Sequence, residues 1–326
     1  MRSLAGTAAL LAVCCLAAGL MSPAVSAAAE PIFTRSDPRG DDHGGGALRY
    51  PRSHHFSTGD LDLISFSARP EKGGTLFEAV FARSIRKPGR EAIDAGGATI
   101  DRVARFGFYT LNVDVYIDKD RTAGSGRTEM LPGRRAEVDS STAWERVVVV
   151  TPRPYEAREE LGHMRVRASR DSLHRSTPHE EDEAKERLES GIQASIDSTV
   201  FFATRIRVTG PKLQFFVPES FLGGRARDAW AYVVVVSAAD LVQRFGVNAS
   251  FMGSSDFVEG LFILPAAPGL PEDRLGGGRE NDDLQPPLMD VLIGPEKTQE
   301  EALVEYDRHA RRPARLHGVS PAERAP

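Results

Sequence analysis

Phe108-Tyr109-Thr110-Leu111-Asn112-Val113-Asp114-Val115-Tyr116-Ile117 decides the fold. In an extended chain successive side chains point to opposite faces, so Leu111, Val113, Val115 and Ile117 share one face of a strand. Shorter segments on either side have related patterns. Leu61–Ala68 and Leu76–Ala82 alternate in part. Val147–Val150 within Glu145–Thr151, and Ala229–Ser237, are continuous apolar runs of strand length, the pattern of strands buried on both faces. Val200–Val208 and Lys212–Val217 flank Gly210-Pro211 and read as a hairpin-like pair. Leu288–Ile293 is a further short strand. Many short strands separated by turns predict a mainly β protein, an antiparallel β-sandwich or barrel, and not alternating β-α units.

One segment departs from this pattern. Pro154–Ser190 carries ten acidic and seven basic residues, the composition of a solvated face. Thr177-Pro178-His179-Glu180 forms a capping box with proline at the first helical position. Ala184, Leu188 and Ile192 then recur every fourth residue, with Glu181–Lys185 and Glu183–Arg187 as i,i+4 pairs. A helix is expected from about Pro178 to Ile196, while Tyr155–Leu173 fits helix or strand. The whole reads as a helical insertion at about 155–196. Thr298-Gln299-Glu300-Glu301 is a second capping box opening a short C-terminal helix to about His309. Pro31–Pro51 and Leu270–Pro287, rich in Gly, Pro and Asp, read as loops. The chain beyond Arg311 is expected to be poorly ordered, with 320–326 a disordered tail.

The 326 residues carry 41 Lys+Arg against 46 Asp+Glu, a formal net charge of −5, with 41% hydrophobic and 27% charged residues. This is a globular composition, and its mild acidity argues against a nucleic-acid partner. Met1–Ala29 reads as a signal peptide: Arg2, an apolar run Leu10–Leu20, Pro23, and small residues Val25-Ser26-Ala27. That run is short for a membrane span, and no later segment approaches the required length. Cys14 and Cys15 both fall inside it. Leu11-Ala12-Val13-Cys14 superficially resembles a lipobox, but Val13 stands where a small residue is expected. Cleavage at a later site leaves an exported chain, periplasmic or secreted, without cysteine, disulfide or thiolate.

Asp37-Pro38-Arg39-Gly40-Asp41-Asp42-His43-Gly44 with Tyr50-Pro51, then Val113–Asp120 with Leu131-Pro132-Gly133-Arg134, follow one another in the chain. Ala143-Trp144-Glu145, Asp228–Val235 and Met289–Leu292 come next. In this order and spacing the chain resembles the glucodextranase C-terminal-like family over about Phe33 to Val319. The resemblance implies a DOMON-like β-sandwich related to family 9 carbohydrate-binding modules. It further implies an exported, non-catalytic module that binds carbohydrate or docks to a cell-envelope component, often near bound Ca²⁺. An envelope-docking or protein-interaction module, a periplasmic haem or redox protein with Met164 or a histidine as axial ligand, and a hydrolase are the alternatives.

Calcium takes six to eight oxygen ligands from carboxylates and carbonyls on flexible loops. Asp37, Asp41 and Asp42 on the glycine-rich loop, with Asp60 and Asp62 following, have that chemistry, as well as that of ordinary Asx-turns. Adjacent Asp41 and Asp42 are expected to point different ways. Asp118 and Asp120 with Glu129 fall at positions 1, 3 and 12 of an EF-hand-like count, but Ala123 occupies the place that needs glycine. A strand end followed by a turn accounts for the same residues. A sugar site needs an aromatic platform and polar groups. Trp144 and Trp230 both open valine-rich strands, at the rim of the sandwich or within its core. Tyr116 and Arg134 are further ligand candidates, beside Tyr50, Tyr109 and Arg135. His54-His55 in a strand would face opposite sides, so they are not expected to share a metal. His163, His174 and His179 read as surface residues. No H-E-x-x-H, G-x-S-x-G or phosphate loop occurs. The sequon at Asn248-Ala249-Ser250 carries no functional reading.

Overall fold

A computed structural model describes residues 29–93, 97–173, 178–240, 261–278 and 284–322. The signal-peptide reading through residue 28, both cysteines, Thr177 of the first capping box, the sequon and residues 323–326 lie outside the described residues. In chain order the elements are β1 (Phe33–Ser36), β2 (Leu63–Glu71), β3 (Gly74–Phe81), α1 (Ile100–Val103), β4 (Leu111–Asp118), β5 (Ala136–Val138) and β6 (Arg146–Val150). They continue with α2 (Pro154–Leu173), α3 (Pro178–Thr199), β7 (Val200–Phe202), β8 (Ile206–Thr209), β9 (Lys212–Pro218), α4 (Glu219–Leu222) and β10 (Ala231–Ala238). The last are β11 (Leu288–Leu292), α5 (Gln299–Val304) and β12 (Ala314–Leu316).

Two five-stranded sheets form the sandwich. The first has the order β1-β2-β3-β9-β8 and the second β11-β10-β4-β6-β7. The alternation in β4 has the consequence expected of it. Val113, Val115 and Ile117 join Val148, Val150, Val234 and Val236 in a core shared with Phe66, Phe77 and Phe215 of the first sheet. Phe77 stacks between Phe66 and Phe215, with centroids 5.6 and 5.5 Å away. The intervening residues of the second sheet, Tyr116, Val147, Val149, Val233 and Val235, fill a second core on its other face. Residues of α2, α3, α5 and the β5–β12 pair cover that core. The valine runs of β6 and β10 are therefore apolar at every position because both faces of this sheet are buried.

The sandwich is not wholly antiparallel. β7 pairs parallel with β6 and β12 pairs parallel with β5. Parallel neighbours need a crossover, and α2 and α3 supply it between β6 and β7. The charged insertion is thus the connection that lets β7 close the edge of the sheet. Tyr155–Leu173, open between helix and strand in the sequence, is helix. The segment 200–208 divides: β7 belongs to the second sheet, while β8 turns back on β9 in the first. One expected loop, Pro31–Pro51, and the tail expected to be poorly ordered beyond Arg311 both contribute strands. β1 pairs with β2, and β12 joins β5, with Val319 bridging Tyr232. Residues beyond Arg311 are therefore held in the fold up to the last described position. The C-terminal helix is shorter than expected, ending at Val304, and its capping box is formed by Thr298 and Glu301. Among the described residues no helix is long and apolar enough to cross a membrane.

One buried ion pair lies in the second core. Arg134, fully buried, donates Nε to Asp114 Oδ2 at 2.6 Å and Nη2 to Oδ1 at 3.0 Å, and Nη1 to the Pro132 carbonyl at 2.8 Å. Such a pair gains little net stability over an apolar substitute, but removing one member strands the other charge. Arg134→Met is expected to lower the unfolding free energy by about 3–5 kcal/mol, and Arg134→Met with Asp114→Leu to recover most of that loss. Urea denaturation checks both, and equal losses in the single and double variants would contradict the pairing.

Candidate functional site

The acidic residues converge where the open edges of the two sheets meet. Asp37 follows β1, Asp41 lies in the loop beyond, Asp62 immediately precedes β2, and Asp290 sits on β11. Asp290, paired with Val236, faces the sandwich core by alternation with Leu292. Ser237 pairs with Leu288 but Val236 with Asp290, so Met289 is the extra residue of a β-bulge. The bulge lies beside Asp290 and puts Met289 on the core side as well. Asp290 Oδ2 then accepts the Leu63 backbone N–H at 2.5 Å, a direct link between the sheets. Gly40, at φ +84°, donates its N–H to Asp62 Oδ2 at 2.9 Å. Gly44, at φ +60°, donates to the Met289 carbonyl at 2.9 Å, and a Cβ there would lie 2.6 Å from the Leu288 carbonyl oxygen. Gln299, buried at the start of α5, accepts from Val291 N and donates to the Asp41 and Gly44 carbonyls. It fixes the acidic loop to both β11 and α5.

One oxygen of each carboxylate remains without a hydrogen-bond partner although buried: Asp37 Oδ2, Asp41 Oδ1, Asp62 Oδ1 and Asp290 Oδ1. Ligand atoms of Asp41, Asp62 and Asp290 lie within 4.8 Å of one another. Burial, then the neighbouring carboxylates, pushes Asp37 up to about 8. Burial first, and the Asp37 and Asp41 charges next, raise Asp290 well above the usual carboxylate range. Asp41 and Asp62 are raised as well, chiefly by burial. Asp42 stands apart. It turns away from Asp41, as adjacent residues in extended chain must, and accepts from Tyr50 Oη and from Gly59 N at 2.8 Å. Tyr50 Oη accepts the Leu61 N–H at 2.8 Å. Asp42 is a loop brace and not a member of the cluster. Asp60 is likewise engaged, by Arg86 Nε at 2.6 Å.

Asp37 and Asp41 also line a cleft of about 620 Å³ that runs between β11, the start of α5 and the Val319–Ser320 segment. Exposed Lys297, Thr298 and Glu300 form one wall, with Arg35 opposite. Among the described residues none that lines it is aromatic.

A second acidic group lies at the far end of β4. Asp118, Asp120 and Glu145 bring ligand atoms within 4.8 Å. Asp118 Oδ1 accepts from Asp120 N and Arg121 N at 3.1 and 2.7 Å, while Asp120 Oδ1 accepts from Thr122 N and Ser125 Oγ, both at 2.8 Å. Those backbone and hydroxyl donors lower Asp120, whereas burial raises Asp118 and Glu145. The EF-hand-like count is not realised: Glu145, and not Glu129, joins the two aspartates. The local bonding is that of an Asx-turn ending a strand.

Neither tryptophan reaches the surface. Trp144 is 2% exposed, donating Nε1–H to the Glu129 carbonyl and packing edge-on against Tyr116 at 5.5 Å. Tyr116 Oη accepts the Leu131 N–H. Trp230, 5% exposed, belongs to the inter-sheet core, with Lys119 Nζ 5.6 Å from its ring centroid. With Arg134 committed to Asp114, all four residues stabilise the interior and present no face to a sugar ring. Met164 packs on the second core, and His163 is exposed on α2.

The sequence expectation missed Asp290, Gln299 and Glu145. Asp290 lies inside Leu288–Leu292, on the face that Leu292 turns to the sandwich core. Its signal was a single acid in an otherwise apolar strand.

No curated protein matches the chain. A family profile, that of the C-terminal binding module, SLH-like, of glucodextranase, matches residues 32–318. With a β-sandwich of this topology and a match spanning most of its length, the chain belongs to the family of glucodextranase C-terminal binding modules.

Proposed function

We propose that this chain is a non-catalytic module of the cell exterior that binds carbohydrate in the cleft beside the acidic cluster, with Ca²⁺ held by Asp37, Asp41, Asp62 and Asp290. The unpartnered buried carboxylate oxygens carry the reading. Like charges about 4–5 Å apart repel by about 3–4 kcal/mol per pair at an effective dielectric near 20. Three such pairs among Asp41, Asp62 and Asp290 approach the whole stability of an ordinary domain, about 5–15 kcal/mol. The cluster must therefore take up protons or a cation. The donor set is all oxygen, partly from a loop, which suits a hard cation and Ca²⁺ in particular. Asp118, Asp120 and Glu145 are a weaker candidate set, because turn donors already satisfy most of their oxygens.

A bound Ca²⁺ supplies positive charge and open coordination positions for oxygen ligands. The chain's own residues supply the rest. Gln299 and Gly44 hold the acidic loop against β11, Asp37 and Asp41 face both cluster and cleft, and Thr298, Lys297 and Arg35 bring polar groups to its walls. Without an aromatic stacking surface, recognition in this cleft is by polar contacts to hydroxyls. The SLH-like character of the family favours an envelope polymer as the natural ligand over a soluble oligosaccharide.

Stability should respond to Ca²⁺ and pH together. Asp37 ionises near 3.8 when unfolded and near 8 in the cation-free fold, so between those values the folded state holds the extra proton. The Asp37 contribution to the stability of chelator-treated protein therefore falls as pH rises from about 4 to about 8 and levels off above. Ca²⁺ binding needs ionised carboxylates and strengthens over the same range. Ca²⁺ at about 100 times its Kd is expected to raise the melting temperature by about 5 °C or more at pH 8, and by less at pH 5. Asp290→Asn should abolish most of the rise. Scanning calorimetry checks this, and a melting temperature indifferent to millimolar Ca²⁺ would contradict the site.

Ligand binding is checked by titration calorimetry against α- and β-glucans and by sedimentation with isolated cell-wall polymer, with and without chelator. Ca²⁺-dependent binding to one of these is expected, weakened by Glu300→Ala at the cleft wall. No binding to any of them would overturn the carbohydrate reading, and turnover of a glycan would overturn the non-catalytic one.

A further inference from the structure

We propose that His54, His55 and Glu91 form a binding site for a divalent cation of the zinc class, separate from the acidic cluster. The residues come from two segments. His54 and His55 occupy a turn, not a strand, so their side chains do not diverge as alternation in extended chain requires. Their ring centroids are 4.1 Å apart. His55 N donates to Ser53 Oγ at 3.1 Å, which fixes the turn. Glu91 arrives from the loop before α1, where its carbonyl accepts the Ile100 N–H at 3.0 Å.

The facing atoms are the ones a metal uses. His54 Nε2 lies 3.0 Å from Glu91 Oε1 and His55 Nδ1 lies 3.9 Å from Oε2. One ligand atom from each of the three residues falls within 4.8 Å of the others. Tetrahedral ligands around Zn²⁺, bonded at about 2.0–2.2 Å, stand about 3.3 Å apart, so closure takes about 1.5 Å or less of side-chain movement. His54, 73% exposed, and Glu91, 47% exposed, are free to make it, whereas His55 at 17% is the fixed member. Tyr109 packs edge-on to the His55 ring and holds its plane; its Oη lies 3.3 Å from the same Nδ1, so its hydroxyl hydrogen must turn away when that nitrogen binds a metal.

The donor set decides the metal. Two imidazole nitrogens and one carboxylate suit zinc and its first-row neighbours and are poor ligands for Ca²⁺ or Mg²⁺. The nearest opposing charge is Arg86, whose Nη1 donates to the His54 carbonyl at 3.3 Å. Its guanidinium is committed to Asp60 and Ser57, both at 2.6 Å, so it braces the turn and its charge is offset. Three protein ligands leave a position open for water or an external ligand.

Titration calorimetry of the tag-free full chain with ZnCl₂, in excess Ca²⁺ to fill the oxygen sites, tests the proposal. One equivalent of Zn²⁺ should bind, and Co²⁺ should give the intense visible d–d absorption of a tetrahedral site. Glu91→Gln and His55→Ala should each weaken binding by about tenfold or more, and His309→Ala, at a remote exposed histidine, should not. Glu91→Gln is an exposed, isosteric change, so it keeps the test valid if His55→Ala disturbs the turn. No Zn²⁺ binding, or Glu91→Gln binding as tightly as the unaltered chain, would overturn the site.

Discussion

Four aspartates, Asp37, Asp41, Asp62 and Asp290, are pressed together where the edges of the two sheets meet, each with one buried oxygen lacking a hydrogen-bond partner. Mutual repulsion there is of the order of the total stability of a domain, so the junction depends on what neutralises it. Protons do so at the expense of stability above neutral pH, whereas a cation does so while drawing the acidic loop, β2 and β11 together. The rest of the molecule is arranged to make this junction rigid. The pairing of β11 with β10 aims Asp290, Gln299 ties the loop to β11 and α5, and Asp42 and Tyr50 brace the loop on its other side. Two sheets locked at one edge present a fixed cleft wall, which suits a binding module whose affinity depends on a preorganised surface.

The fold was legible wherever the period of two met a one-sided or two-sided core. β4 was readable from Leu111, Val113, Val115 and Ile117. β6 and β10 were readable as doubly buried because valine fills both faces of a covered sheet. Short edge elements were not. Phe33–Ser36 and Ala314–Leu316 carry too few apolar residues to register as strands, and their partners lie far away in the chain. The parallel pairing of β7 depends on the crossover through α2 and α3, a tertiary fact without local signature.

The acidic site was half visible. Asp37, Asp41 and Asp62 stand on a glycine-rich segment whose composition points to oxygen coordination. Asp42 has the same local chemistry, yet alternation sends it to Tyr50 and Gly59. Asp290 needed the packing of β11 against the start of β2, and Gln299 needed the docking of α5. The tryptophans stayed undecided for a related reason: a large aromatic ring opening a strand fits rim and core equally well, and here Tyr116, Glu129 and the inter-sheet core claim them. His54 and His55 show the converse. A rule valid for strands separated them, and a turn reunites them.

The central claim is that a cation neutralises the four-carboxylate junction. Anomalous scattering from crystals grown with Ca²⁺ at pH 8 tests it most directly. The account predicts a single strong peak bonded to oxygens of Asp37, Asp41, Asp62 and Asp290 at about 2.3–2.6 Å. No peak between these carboxyls at saturating Ca²⁺ would contradict it.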